Sequence, residues 1–360
     1  MKILTRYILK EFIGPLLFGI FAFTSLFMGF ALIELLRDAE KYHFSLLFTL
    51  KLLSLTLPQY VTIGSSIAVL LAALLGIGKL TSHSETIAMR AGGLSYAKLA
   101  APILIIGLLV SISGILLNEY LVPVSLQTYE KMKAEAIAKE ASGTIYDINK
   151  ILWEAEVKKL FYAVKYKPKE ESFEQVLIQE VDYQGKLRRT ILASEMHWDG
   201  RSWYFNKGEI YQYNSDSLYP ITVNSGRVHY QLNLTPKEVE QINVGPDKKS
   251  ISELRTYIQK FAPNGAERQS LMVELHLKFA IPFASFVFAI LGTPLALRPQ
   301  RRSNAAGFGL CIIYIILWYV LMATGSSMAR AGSIPAFLGA WLPNIVLAGY
   351  GVAVFLREKS

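Results

Sequence analysis

Six stretches of this chain, near residues 14–36, 52–78, 99–122, 271–297, 305–328 and 334–356, run apolar for the roughly 20 residues that a helix needs to cross a bilayer core. No other feature limits the fold as much, because backbone inside hydrocarbon must satisfy its hydrogen bonds internally, as helix or closed barrel. The chain has 360 residues and is 52% hydrophobic, enough for one membrane region and one water-exposed region. The first run exceeds the roughly 7–15 residues of a signal-peptide core and no A-x-A-like site follows, so it reads as a retained anchor.

Charge sets an orientation. The net charge is +9. Residues 123–270 are close to neutral, so the excess belongs to the membrane part, where it reports topology rather than nucleic-acid binding. Lys2, Arg6 and Lys10 precede the first span; Lys79, Arg90 and Lys98 lie between the second and third; Arg298, Arg301 and Arg302 lie between the fourth and fifth; Arg357 and Lys359 end the chain. The opposite flanks carry only Arg37, Lys41, Lys51 and Arg330. The positive-inside rule therefore puts both termini in the cytoplasm and the 123–270 insert outside.

The insert changes period. Between about 146 and 234, short β-rich runs such as "LFYAVKY", "QVLIQEV", "RTILAS", "SWYFNKGEIYQY" and "RVHYQL" are separated by turn signals at Gln184-Gly185, Asp199-Gly200 and Ser225-Gly226. Seven or eight strands are expected, as an antiparallel sandwich or jellyroll. Tyr129 to Lys139 reads as a helical extension of the third span. A helical linker over about 250–262, "SISELRTYIQKF", carries a capping box, Ser250 with Glu253, and an apolar face of Ile251, Leu254 and Ile258 before a break at Pro263-Asn264-Gly265. The domains expected are thus 1–122 with three spans, 123–270 outside, and 271–360 with three more.

Enzyme chemistry finds little support. Gly78-Lys79 followed by Thr81 lacks the leading glycine and the adjacent Ser or Thr of a phosphate-binding loop; Ala73 and Leu80 stand there instead. There is no H-E-x-x-H or G-x-S-x-G, and His43, His83, His197, His229 and His276 lack metal-ligand spacing, so no metal site, no catalytic residue and no cofactor on this chain are expected. The one cysteine, Cys311, excludes an intrachain disulfide.

Three constellations remain. Ala68, Ala72 and Gly76 give the second span a small-residue face for close helix packing, either within the chain or against a second membrane subunit. Glu274 and Lys278 stand one turn apart in the fourth span, as an interfacial ion pair or, with Arg37 and Lys41, as the polar wall of an amphiphile cavity. Finally, "GKLTSHSETIAMRAGG" is more helical than a connector requires: Ser82 or Ser84 is placed to cap it, Glu85 lies in its first turn and Gly92-Gly93 ends it. The expected helix over about 82–93 is a solvated connector or a knob that docks on a cytoplasmic motor, with Glu85, Arg90, Ser84, Met89 and Gly92 as its contact residues.

"RYILKEF", "LLAALLGIGKLTSHSETIAMRAGGLS", "NEYLVP", "LWEAEVKKLFYAV", "NLTPKE", "SISELRTYIQKF" and "IPAFLGAWLPN" follow one another in the order found in the LptF/LptG permeases, which the chain resembles over nearly its whole length. The resemblance implies a membrane subunit of the lipopolysaccharide-exporting ABC transporter in the bacterial inner membrane, with six membrane helices and a periplasmic β-jellyroll. It implies a second LptF/LptG-type permease, a cytoplasmic LptB-type ATPase dimer that uses ATP and Mg, and an LptC/LptA-type periplasmic jellyroll protein as partners. It also makes the 82–93 segment a coupling helix with Glu85 as its acid. One departure stands out: where family members often carry a base in the outer part of the first helix, this chain has Ala31 and Glu34, the nearest base being Arg37. A periplasmic sensor or scaffold, and more distantly a membrane-embedded enzyme, are the alternatives.

Overall fold

The computed structural model describes residues 2–140, 148–154, 157–167, 170–182, 186–214, 217–223, 227–232, 234–236, 238–239, 245–262, 264–297 and 304–359. Gln184, Gly185, Ser225, Gly226, Pro263, Arg298, Arg301 and Arg302, which enter above as turn signals, a helix break and flanking bases, lie outside the described residues. The chain divides into two compact units, Met1–Tyr129 with Ser250–Arg255 and Asn264–Ser360, and Glu130–Lys249 with Thr256–Pro263.

The helices of the first unit are longer than the apolar runs that announce them. Helix α1 is Lys2–Lys41; α2, Leu46–Ala72, passes through a π-helical turn, Ala73–Ile77, into α3, Gly78–Ser82; α4 is the short Glu85–Ala91. Helix α5, Tyr96–Leu116, continues through a second π turn, Leu117–Leu121, into α6, Val122–Glu140. Then come α7, Ile251–Phe261, α8, Gly265–Leu297, α9, Asn304–Arg330, and α10, Ala336–Lys359. Six continuous segments are long and apolar enough to span a membrane: Ile3–Lys41, Leu46–Ser82, Tyr96–Ile137, Gly265–Leu297, Gly307–Arg330 and Ala336–Arg357. Helices α2 and α8 are the buried pair at the centre, while α1 and α9 keep most of their apolar surface facing outward.

Prolines and small residues explain how these helices approach. Pro15 has no N–H, so the Glu11 carbonyl one turn earlier loses its partner within α1. A Cβ added at Gly76 would lie 2.5 Å from that carbonyl oxygen, so only glycine lets the first π turn press against α1 there. Ala68 and Ala72 are fully buried on the same helix, and a Cβ added at Gly19 would lie 3.0 Å from that of Ala68. The small-residue face therefore packs against α1 of its own chain. Pro282 has the same effect in α8, and the carbonyls around it are taken by other helices: Asn118 donates to Lys278 O at 3.0 Å, Asn344 to Ala280 O at 2.7 Å, and Ser66 to Ile281 O at 3.2 Å.

The second unit is built on one eight-stranded antiparallel sheet: β1 Ile148–Glu154, β2 Val157–Lys167, β3 Ser172–Asp182, β4 Leu187–Trp198, β5 Trp203–Phe205, β6 Gly208–Asn214, β7 Ser217–Val223 and β8 Val228–Tyr230. Strands β1 to β4 form a meander, and the far edge of β4 is shared by β6 along Arg189–Ala193 and β5 at His197–Trp198. Period two buries Phe161, Ile178 and Ile191, which stand opposite one another, and the Phe173 ring meets Phe161 edge-on and Trp203 and Tyr166 at a tilt. One rung along, the buried Glu180 takes two hydrogen bonds from Arg189 and one from Tyr230. The turn at Asp199-Gly200 forms as its sequence suggests, with Gly200 at φ 93° and the Asp199 carboxylate accepting from the Arg201 and Ser202 amides. Helix α7 starts with the expected capping box: the Ser250 amide donates to Glu253 and the Glu253 amide to Ser250 Oγ.

Candidate functional site

The stretch 82–93 is not one helix. Ser82 closes α3, with its hydroxyl donating back to the Lys79 carbonyl, and a tight turn at His83-Ser84 separates it from α4. Neither serine caps α4 through its side chain. Ser84 takes the left-handed conformation, φ 59°, which reverses the chain, rather than the extended one usual for a capping residue. The helix ends as its glycines suggest: Gly92 is the last half-helical residue and Gly93, at φ 86°, lets the Leu94 amide reach Met89 O while its own amide reaches Arg90 O.

Helix α4 has two faces. Thr86 is buried with its hydroxyl donating to Thr81 Oγ1 at 3.3 Å, and Met89 and Leu94 pack on the membrane core. Ile87, Ala88, Arg90, Ala91 and Gly92 are exposed. Arg90 lies 5.8 Å from the centre of the Tyr96 ring, which itself packs edge-on against Phe355. The carboxylate of Glu85, one of the expected contact residues, accepts from the Tyr7 hydroxyl of α1 at 2.8 Å and lies 3.8 Å from His83 Nδ1. The neighbouring Lys79–Glu11 pair at 2.9 Å is a second bond to α1, from α3. The exposed side of α4 is consequently largely apolar and centred on Ile87, with the Glu85 and Arg90 side chains at its margins.

The residues read as a cavity wall do not form one cluster through α1. Arg37 and Lys41 stand exposed in its last two turns, Lys41 over the Tyr42 ring at 4.9 Å, where a base complements the helix C-terminus. Ala31 is buried and Glu34 exposed. Glu274 of α8 receives the guanidinium of Arg330 from α9, a partner that the sequence spacing does not reveal. Lys278 offers its main-chain carbonyl to Asn118.

Two polar residues escaped the sequence reading. Asn118 and Glu119, both in the second π turn, engage different elements, and the Glu119 carboxylate accepts from the Ile251 amide at 2.8 Å and from Ser252 Oγ at 2.6 Å. The available signal was an acid at the end of a long apolar run, which membrane segments seldom retain without use. Among the described residues, no group of three or more His, Cys, Asp or Glu is arranged to hold a metal ion.

A membrane unit of six apolar spans, interrupted after the third by a separate β-rich unit and carrying a short amphipathic helix between the second and third, is an architecture that comparison can place. The chain is 23% identical over 348 residues to the lipopolysaccharide export system permease protein LptG of Haemophilus influenzae, covering 95% of both chains. It is 22% identical over 349 residues to the protein of that name from Escherichia coli K12, covering 95% of this chain and 94% of the relative. The family model described as lipopolysaccharide export system permease LptF/LptG matches residues 6–357, and the chain belongs to that family of permeases.

Proposed function

We propose that this chain is a permease subunit of a lipopolysaccharide-exporting ABC transporter of the bacterial inner membrane. It moves an amphiphile by alternating access and relies on a separate cytoplasmic ATPase for energy. The observation that carries this reading is α4: a helix fixed to the membrane core by Thr86, Met89 and the Tyr7–Glu85 bond, with its apolar face at Ile87 left outward. A solvated connector gains nothing from such anchoring, whereas a knob that must transmit force needs it.

In this reading α4 faces the cytoplasm, an orientation supported by Lys79, Arg90 and Lys98 around it. The β-rich unit then lies in the periplasm as a jellyroll that hands lipid to an LptC/LptA-type protein. The small-residue face of α2 is used internally, so the second LptF/LptG-type permease is assigned to the outward apolar surfaces of α1 and α9. Arg37 and Lys41 are the bases offered to lipid phosphates from α1, where paired ionic hydrogen bonds gain strength with desolvation. Purification of the native complex, with identification of its protein chains and bound lipid, tests the proposal. A second permease, an ATPase and a phosphorylated glycolipid are expected together; isolation of the chain alone or with a soluble signalling partner would overturn it.

A further inference from the structure

We propose that Asn118 and Glu119 are paired positioning residues that tie the proline bend of α8 to the first turn of α7, so that the two elements move together. This rests on the permease reading above. In a regular helix, consecutive side chains point about 100° apart, since there are 3.6 residues per turn. The π turn Leu117–Leu121 adds a residue to one turn, and its two polar side chains reach separate elements: Asn118 Nδ2 meets Lys278 O at 3.0 Å, and Glu119 meets α7. Single π turns inside α-helices are frequent at functional positions, because they hold a register that a regular helix would relax.

Both bonds have a specific chemical reason. Pro282 removes the amide that would have bonded the Lys278 carbonyl, so Asn118 supplies the donor that lets the bend persist inside the membrane unit. Ile251 and Ser252 are the first residues of α7, whose amides have no partner within the helix; Glu119 accepts from both, at 2.8 and 3.4 Å, and from Ser252 Oγ. Glu253 closes the capping box with Ser250, and Gln127 donates to its carboxylate at 3.1 Å, but that box leaves the Ile251 and Ser252 amides open, and the acid that fills them is brought from a membrane helix. What Glu119 adds is a fixed link within the first unit, from the second π turn to the first turn of α7. A change at the α8 bend must then be felt at α7.

The test uses the full chain assembled with its partner permease and ATPase, with Asn118→Leu, Glu119→Gln and the double variant. Hydrogen exchange over residues 250–256 is the first readout. Asn118→Leu is expected to raise exchange there although Asn118 does not bond α7; unchanged exchange would overturn the proposal. Lipid released per ATP hydrolysed is the second. Each single variant is expected to lower it by at least about 5-fold, the lower end of ordinary allosteric coupling, with the double variant no worse than the poorer single. Multiplying losses would mean two unrelated local roles, and failure of both single variants to assemble would mean a purely structural one; either overturns the link. If the wild-type complex releases no lipid, the permease reading fails instead.

Discussion

The Tyr7 hydroxyl near the start of α1 donates to the Glu85 carboxylate at the start of α4, 2.8 Å away and 78 residues distant in sequence. The first membrane helix is thus bonded to the start of α4. Tyr7→Phe removes one oxygen and leaves the ring, so the membrane unit is expected to keep its thermal midpoint while ATP-driven lipid release falls. Release at the wild-type level would show that Thr86 and Met89 suffice to hold α4.

Gly76 and Gly78 lie two residues apart on opposite terms. A Cβ at Gly76 meets the Glu11 carbonyl at 2.5 Å, whereas one at Gly78 meets nothing within 4 Å. Gly76→Ala is expected to push α1 from α2 at a cost of about 1–3 kcal/mol, the scale of overpacking. Gly78→Ala is expected to be neutral or slightly stabilising through helix propensity. Thermal unfolding of the detergent-solubilised chain distinguishes the two.

Much of this architecture is written in local pattern. The six spans follow from apolar length, the strands from alternation, and the α7 capping box from Ser250 and Glu253 standing three residues apart. What local pattern omits is long-range pairing. Glu274 stands one turn from Lys278, and Arg330 reaches it from 56 residues later. Asn118 and Glu119 find partners 160 and 132 residues on. The π turns add a second obstacle, since one extra residue shifts every later side chain out of the regular period. Ser84 shows a third: its composition suits a cap, yet the reversal after α3 requires a left-handed residue there.

Glu180 is expected to make the β-rich unit sensitive to acid. Burial by itself would push its carboxyl up, but the hydrogen bonds from Arg189 and Tyr230 outweigh it and hold the carboxyl below the usual range. A carboxyl depressed in the folded state stabilises fully above its unfolded value, about 4.3, and that stability is lost as pH falls through the lower folded value. Glu180→Gln is expected to cost on the order of 2–3 kcal/mol at pH 7, below the 3–5 of a fully buried pair because Arg189 is 38% exposed, and to flatten the acid-side loss. Thermal unfolding followed by β-sheet circular dichroism across pH 3–7 measures both effects; a variant as acid-sensitive as the parent would assign the loss to other carboxylates.

The assigned orientation exposes the Asp199-Gly200 turn to the periplasm. In a Cys311→Ala background, a cysteine introduced as Arg201→Cys is expected to react with a membrane-impermeant thiol reagent in cells with a permeabilised outer membrane. Protection until the inner membrane is broken would invert the topology.

Ile87 is the residue on which the account turns: exposed, apolar, and carried on a helix held rigidly from behind. Ile87→Asp leaves the membrane core untouched while placing a charge where the ATPase is assigned to dock. The decisive measurement is ATP-driven release of lipopolysaccharide from vesicles holding the chain, its partner permease and the ATPase, with copurified ATPase measured in parallel. ATP-dependent release is expected for the wild type, with loss of both release and bound ATPase for Ile87→Asp. Release that is independent of ATP, or an Ile87→Asp complex with full ATPase and full release, would contradict it.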